Sequence, residues 1–410
     1  MVSKLKNLRK IIHGFQLLLE DFFEKKEIDK INKLIDSEIL KRNKTTSESF
    51  PKEELIASDK LRIYSSIIIS YGEKHLTFEK LLDLLFTFGK KITAFGELNL
   101  AIEIFKHLVL ITNRIKKFKN INAYALLSMG EIYSRQANWD ESFLWINKAK
   151  RKFIKNHDLK GLATCENLLG TVYGEMGKIT KSEFYFNNAL KYLEEKNDKV
   201  IIAGVQANLG IINNMRNNFD AAFSYFKRSL LNFEEFGDLR RIAELRHNLG
   251  MYFLQKNKLN LAIKEFERSI KISRTHKFLP TLAISYQSIA YLYSQLKDYE
   301  LASVYADKGL EISNRINDKL TIADIYKVKG IIKRELKHYL EAENYFFSSL
   351  RINKDYNNEL NYAETSFELG LLYKNMNNMN SSKIQFNNSL NYYKKHGSKE
   401  QVEKICEYIN

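Results

Sequence analysis

Proline is almost missing from this chain: Pro51 and Pro280 are the only two in 410 residues. Proline breaks helix interiors, so its scarcity excludes proline-rich linkers and suits long stretches of continuous helix. Cysteine is as rare, with Cys165 and Cys406 alone. Two such distant thiols cannot form a disulfide framework, and reduced cysteines fit an intracellular protein, so a cytoplasmic location is expected. Long apolar runs are lacking too. The apolar stripe Leu5, Leu8, Ile12, Phe15, Leu19 and Phe22 is interrupted by Lys6, Arg9, Lys10, Glu20 and Asp21, too charged for a membrane span or a secretory leader.

Catalytic signatures are absent as well. No His-Glu-x-x-His, phosphate-binding loop, nucleophile elbow or Cys-x-x-Cys occurs. The eight histidines are scattered, and His157, His276 and His396 fall at expected turns. Paired carboxylates such as Glu53-Glu54, Glu194-Glu195 and Glu234-Glu235 occupy adjacent helical positions and point apart. The expectation is a non-enzymatic protein with no catalytic residue, metal site or cofactor.

What the sequence does contain is a period. Gly89, Gly130, Gly170, Gly210, Gly250, Gly330 and Gly370 recur at intervals of about forty residues, with Ala290 in the one vacant place. Seven residues before the last seven of these stand Ala123, Ala163, Ala203, Ala243, Ala283, Ala323 and Ala363. Twelve residues after the eight stand Ala101, Ser142, Ser182, Ala222, Ala262, Ala302, Ala342 and Ser382. Glycine in a helix interior costs roughly 1 kcal/mol relative to alanine, so glycines held in register relieve a steric conflict between two close helices. The second helix of the pair carries the aromatic Phe105, Phe186, Phe226, Phe266, Phe346 or Phe386. Turns such as Asn138-Trp139, Asn218-Phe219 and Asp298-Tyr299 place a capping side chain before the second helix. Asn197-Asp198, Gly237-Asp238 and Asn317-Asp318 place a left-handed residue and then a capping aspartate before the next unit.

These residues resemble the tetratricopeptide repeats, whose signature expects Leu-Gly, Tyr, Ala, Phe and a small residue where this chain has Leu209-Gly210, Tyr173, Ala222, Phe226 and Ser229. The resemblance covers about residues 76–397. The forty-residue unit and its missing terminal proline are similar to the variant in Leu-Gly-Asn repeat proteins and in bacterial Rap-type peptide sensors. It implies an all-α, right-handed superhelical solenoid of about eight antiparallel helix pairs, with a concave groove that holds an extended peptide or a partner's helix.

The domain expectation is therefore a helical N-terminal bundle or cap over 1–75, the solenoid over 76–397 and a capping helix over 398–410. Within the first region the patterning predicts helices at about 4–24, 27–42 and 53–73 around a loop at 43–49, with the run Ile67-Ile68-Ile69 buried.

Helical geometry at about 100° per residue separates a packed side from a side left for a ligand. The position after each small residue gives the apolar line Ile211, Met251, Tyr291, Ile331 and Leu371. Around it stand Asn214, His247, Gln255, Gln287, Gln295, Lys327, Arg334 and Lys374, with Asn208 and Asn248 at the border as candidates for bonding a peptide backbone. These fifteen residues are the expected ligand-binding groove; packing against the neighbouring unit is the other reading of the apolar line. The helix around Gly330 departs from its siblings, with Lys329 and Lys333 in place of apolar residues. The pattern predicts a rotated helix packing Ile325, Val328, Ile332 and Leu336; the other reading is that these positions are loosened for a functional contact, with Lys327, Lys329, Lys333, Arg334 and Lys337 as a landing place for an acidic segment.

The formal net charge of +16 raises acidic partners and nucleic acid. Lysines are interleaved with 49 acids, and no nucleic-acid-binding module is recognisable, so nucleic acid is the lesser alternative. The expected function is a protein–protein interaction scaffold that takes a protein or peptide with acidic side chains in its groove. The alternative is a peptide-responsive regulator whose solenoid controls the N-terminal bundle.

Overall fold

The computed structural model describes residues 18–45, 57–94, 96–193, 198–396 and 398–409. Nineteen α-helices and no strand occur among these residues. The first are α1 (Lys25–Thr45), α2 (Ala57–His75), α3 (Phe78–Ala94), α4 (Leu98–Thr112), α5 (Lys119–Arg135) and α6 (Trp139–Asn156). The repeating pairs continue as α7 (Leu159–Glu175) with α8 (Ile179–Leu193), α9 (Lys199–Met215) with α10 (Phe219–Phe236), and α11 (Leu239–Gln255) with α12 (Leu259–His276). They end with α13 (Leu279–Gln295) and α14 (Tyr299–Ile316), α15 (Lys319–Glu335) and α16 (Tyr339–Asp355), α17 (Glu359–Asn375) and α18 (Met379–Lys395), and a last single helix, α19 (Lys399–Ile409). The chain divides into two compact units, one up to Met129 and the other from Gly130.

The periodic glycines do what their spacing requires. A β-carbon on Gly170, Gly210, Gly250, Gly330 or Gly370 would lie 2.5–2.6 Å from the phenylalanine ring sixteen residues later, on the second helix of the same pair. Gly130 meets Ile146 in the same way. Where the small residue is Ala290, the facing residue is Ala306, both fully buried in one cluster. Loss of the glycine is matched by loss of the ring, so the joint stays filled. Hydroxyls reinforce the joint: Ser142, Ser182 and Ser382 donate to the carbonyls of Gly130, Gly170 and Gly370 at 2.9, 2.7 and 2.9 Å.

Short turns follow the capping rules. Asp158, Asp198, Asp238 and Asp318 each accept from the backbone N–H three residues on, at 2.8, 3.2, 3.1 and 3.1 Å. Gly237 and Asn317 take the left-handed conformation just before their aspartates; Asn197 lies outside the described residues. Asn138 and Asp298 cap α6 and α14, whereas Asn218 turns its amide to the Asn213 side chain instead.

α15 is not rotated. The space beside Gly330 is filled by Phe346 just as Phe226 fills that beside Gly210, and Leu336 is exposed although Ile325, Val328 and Ile332 are buried. Its unusual lysines are accommodated by charge instead: Lys329 pairs with Asp307 at 2.5 Å and Lys333 with Glu341 at 2.7 Å.

In the first unit α1 packs on α2 and α3 on α4. Ile68 is fully buried, while Ile67 and Ile69 are half-buried. Helix α1 runs to Thr45, beyond the expected end at 42. The expected stretch 4–17 and the loop from 46 onward lie outside the described residues.

In the second unit the first helices of neighbouring pairs touch one another, α7 with α9, α9 with α11, α11 with α13, α13 with α15 and α15 with α17. These first helices therefore form a continuous inner surface. At the end, α19 lays Ile405 against Phe386 and Leu390, with Leu371 and Phe367 packed beside them.

Candidate functional site: a cavity inside the second unit

The second unit bends until it meets itself. Trp139 Nε1 donates to the Tyr356 carbonyl at 2.5 Å, and Tyr392 Oη donates to the Gly177 carbonyl at 2.8 Å, across 217 and 215 residues of chain. Asn217 Nδ2 donates to Glu400 at 2.5 Å. The inner surface thus encloses a lumen lined by first helices.

A cavity of about 200 Å³ opens where the two ends meet, lined by Thr171, Gly174, Glu175, Ser182, Phe186, Asn208, Ile211, Ile212, Met215, Asn358, Leu360 and Asn361. One wall comes from the α7–α9 region and the other from the start of α17. The combination of isoleucine, methionine and phenylalanine with three asparagines offers burial for an apolar side chain and amides for a peptide backbone. Asn208 is held in place by donating from Nδ2 to Asn167 Oδ1 at 2.9 Å, and Asn361 donates to Asp324 at 3.2 Å. A second cavity of about 550 Å³ follows the same junction, with Gln255, Arg216, Glu364 and His396 among its lining groups.

The interior is crowded with charge from repeats far apart in sequence. Arg135 interacts with both Glu244 and Asp318. Glu175 is exposed to the solvent of the lumen and has no cation among the groups that shift its pKa: the protein mass around it and the neighbouring Asp318 and Asp324 push its carboxyl up to about 7. Burial also raises Asp318, against the hydrogen bonds from Thr321, and raises Asp324 against the opposing pull of Lys327. His247 is pushed down to about 4 by burial, with Glu244 opposing, and so is neutral at pH 7.

The fifteen expected groove residues are not one open line. Asn208 and Ile211 line the smaller cavity, and Gln255 lines the larger. The apolar line is mostly occupied by neighbouring repeats: Ile211 packs against the Phe226–Leu245 cluster, Met251 against Phe266 and Ile289, and Tyr291 against two clusters. Ile331 is 3% exposed beside Leu369, and Leu371 packs beside the last helix. Asn214 is buried, with no hydrogen-bond partner for its Oδ1. His247 lies against Phe266 with its ring 5.6 Å away, and Gln287 accepts from Ser288. Asn248 is half-buried, Gln295 is exposed, and exposed Lys374 sits over the Tyr408 ring.

Lys327 and Arg334 are already partnered. Lys327 Nζ lies 2.5 Å from Glu364 and 3.4 Å from Asp324; these carboxylates hold its pKa above the ordinary lysine value although burial opposes it. Arg334 donates to the Glu368 carboxylate at 2.6 Å and to its carbonyl at 3.1 Å. A docking place for an acidic segment at these two residues is filled by the chain's own acids.

Glu175, Asn358, Leu360 and Asn361 were not among the expected residues. Glu175 shares the helical position of Gln255 and Gln295, five after the small residue, and could have been found by the same geometry. The other three come from the repeat of Gly370, four units from that of Asn208, and no local pattern connects the two.

Family models of the tetratricopeptide repeat match residues 201–275 and 283–315, and the other forty-residue units repeat the same helix pair. No curated protein sequence matches the chain. Among solved structures it is similar in fold to a Rap protein complexed with competence and sporulation factor, at a TM-score of 0.57, 9% identity, and coverage of 80% of this chain and 96% of that one. It is also similar to the Rap conjugation gene regulator of the plasmid pLS20 in complex with the Phr* peptide (TM-score 0.55, 15% identity, 80% and 98% covered). A third is NprR in complex with its cognate peptide NprX (TM-score 0.50, 14% identity, 70% and 82% covered). Among the described residues no helix is long and apolar enough to cross a membrane.

Proposed function

We propose that this chain is a non-catalytic, peptide-binding interaction scaffold, and that the peptide lies in the lumen of the second unit against Asn208, Ile211, Met215, Asn358, Leu360 and Asn361. The observation that carries this reading is the cavity at the junction, where amide side chains from two distant repeats converge around an apolar floor. An extended strand exposes backbone N–H and C=O groups that asparagine can pair, while its alternate side chains need apolar pockets. The peptide complexes of the pLS20 regulator and NprR, which share the fold, support the same ligand class.

The partner's charge follows from the lumen. Lys327 and Arg334 are neutralised in place, whereas Glu175 has the carboxylates of Asp318 and Asp324 and no cation among the groups that shift its pKa. A cationic side chain in the peptide satisfies Glu175 better than the acidic partner expected from net charge alone.

Selection of displayed random peptides on the intact chain tests this. Enriched sequences should bind the parent protein, lose most affinity for Asn208→Ala with Asn361→Ala, and retain it for the outer reversals Lys227→Glu with Lys264→Glu. Peptides that respond only to the outer changes would place the interface on the convex face and overturn the proposal.

A further inference from the structure

The junction that closes the lumen is marked by exceptions in the repeat. As at Gly96 in the first unit, seven residues after each small residue of the second unit the chain takes the left-handed conformation, at Ala137, Gly177, Asn217, Asn257, Lys297, Lys337 and Asn377. Six of the seven manage this with a side chain, so the turn does not require glycine. Gly177 is needed for another reason: a β-carbon there would lie 2.7 Å from the backbone nitrogen of Leu360. Burial agrees. Ala137 and Gly177 are buried, while the five later equivalents are exposed. Asn358, on the opposite side, is 4% exposed, although its counterparts Asp158, Asp198, Asp238, Phe278 and Asp318 are only half-buried.

This contact is built unlike the rest of the array. Within and between consecutive repeats, rings fill the space beside glycines and leave no room. Across the junction, the two ends meet through Leu360 and hydrogen bonds from Trp139, Tyr392 and Asn217, with cavities of about 200 and 550 Å³ beside Leu360. A solenoid is held by neighbour contacts and flexes along its length, so small changes per repeat accumulate over five repeats into a separation at the ends. A sparsely packed contact closing such a spring can open without unfolding any repeat.

We propose that the Gly177–Leu360 junction is a latch that switches the second unit between a closed lumen and an open one. Opening removes Asn358, Leu360 and Asn361 from the cavity wall. On the reading of that cavity as a peptide site, an occupant touching both walls holds the latch shut, and by reciprocity a shut latch binds the occupant more tightly.

The test needs no ligand, so its failure is separable from failure of the peptide reading. In the full chain with Cys406→Ser, spin labels at Lys181→Cys and Lys394→Cys report the distance across the junction. Gly177→Asn installs the residue that the same turn already tolerates at Asn217, Asn257 and Asn377, and should move the majority of molecules to longer distances. Helix content should be unchanged, and the control Lys297→Asn should match the parent. Tyr392→Phe, which removes one O–H and leaves the ring, should shift the same distribution by a smaller amount. Unchanged distances in a folded Gly177→Asn overturn the latch. If Gly177→Asn fails to fold, an unchanged distribution in Tyr392→Phe overturns it equally.

Discussion

The ring of Phe266 fills the space that a β-carbon on Gly250 would need, its Cε1 lying 2.5 Å from that position. The same relationship joins Gly210 to Phe226, and its counterpart Ala290–Ala306 shows the pair exchanged together. Gly210→Ala should therefore destabilise the chain by overpacking, by about 1–3 kcal/mol. Phe226→Ala should cost about 3–5 kcal/mol. The two together should cost less than their sum, because the alanine fills space that the ring has vacated. Urea midpoints for the four proteins of this cycle measure the coupling, and additive losses would contradict the steric account.

Arg334 is 8% exposed and shares its hydrogen bonds between Glu335 and Glu368. Arg334→Ala leaves the Glu368 carboxylate, 19% exposed, without its cation. Breaking such a pair from one side should cost up to about 3 kcal/mol in chemical denaturation. Exchange at the more exposed pair Lys395–Glu359 should change stability by less than about 1 kcal/mol.

The pH dependence has two opposed parts. Glu175 titrates near 7 in the fold and near 4.5 ordinarily, so between those values the folded state holds the extra proton and stability falls as pH rises. His247 titrates near 4 in the fold and near 6.5 ordinarily. Between those values the unfolded state holds the extra proton, and stability falls as pH drops. Denaturation midpoints from pH 4 to 8 should show Glu175→Gln gaining on the parent as pH rises from 4.5 to 7. His247→Asn should flatten the acid side from 6.5 to 4. Curves parallel to the parent in both variants would remove these two groups from the linkage.

Lys258 stands at the start of α12 with no side-chain cap, where Asn138 and Asp298 cap the equivalent helices. Lys258→Asp supplies a side-chain acceptor for the backbone N–H of Leu261, which now bonds the Lys258 carbonyl at 3.1 Å, and places a negative charge at the helix start. The expected gain is about 0.5–1 kcal/mol, read as a higher melting temperature.

Much of this fold was legible because its contacts are close in sequence. The glycine and the phenylalanine sixteen residues later belong to one helical hairpin, and the caps span three residues, so a one-dimensional pattern records them completely. The lining of the junction cavities was legible in part. Asn208, Ile211 and Gln255 were found from helical geometry, but the same geometry left the apolar line open where adjacent repeats cover Ile331 and Leu371. It also rotated α15 to explain lysines that are instead matched by Asp307 and Glu341 on its partner helices.

The sequence by itself determined the repeat, its two helices, the turns between them and the faces that pack. Those properties rest on sterics and hydrogen bonds repeated every forty residues. Only the tertiary structure decided that Gly177 meets Leu360 and that Arg135 faces Asp318. Those meetings depend on the small rotation between successive repeats summed over about five units, a quantity that no single residue encodes. Gly177 and Trp139 stand in the sequence at ordinary turn positions, and the partner that explains each lies on the far side of the lumen.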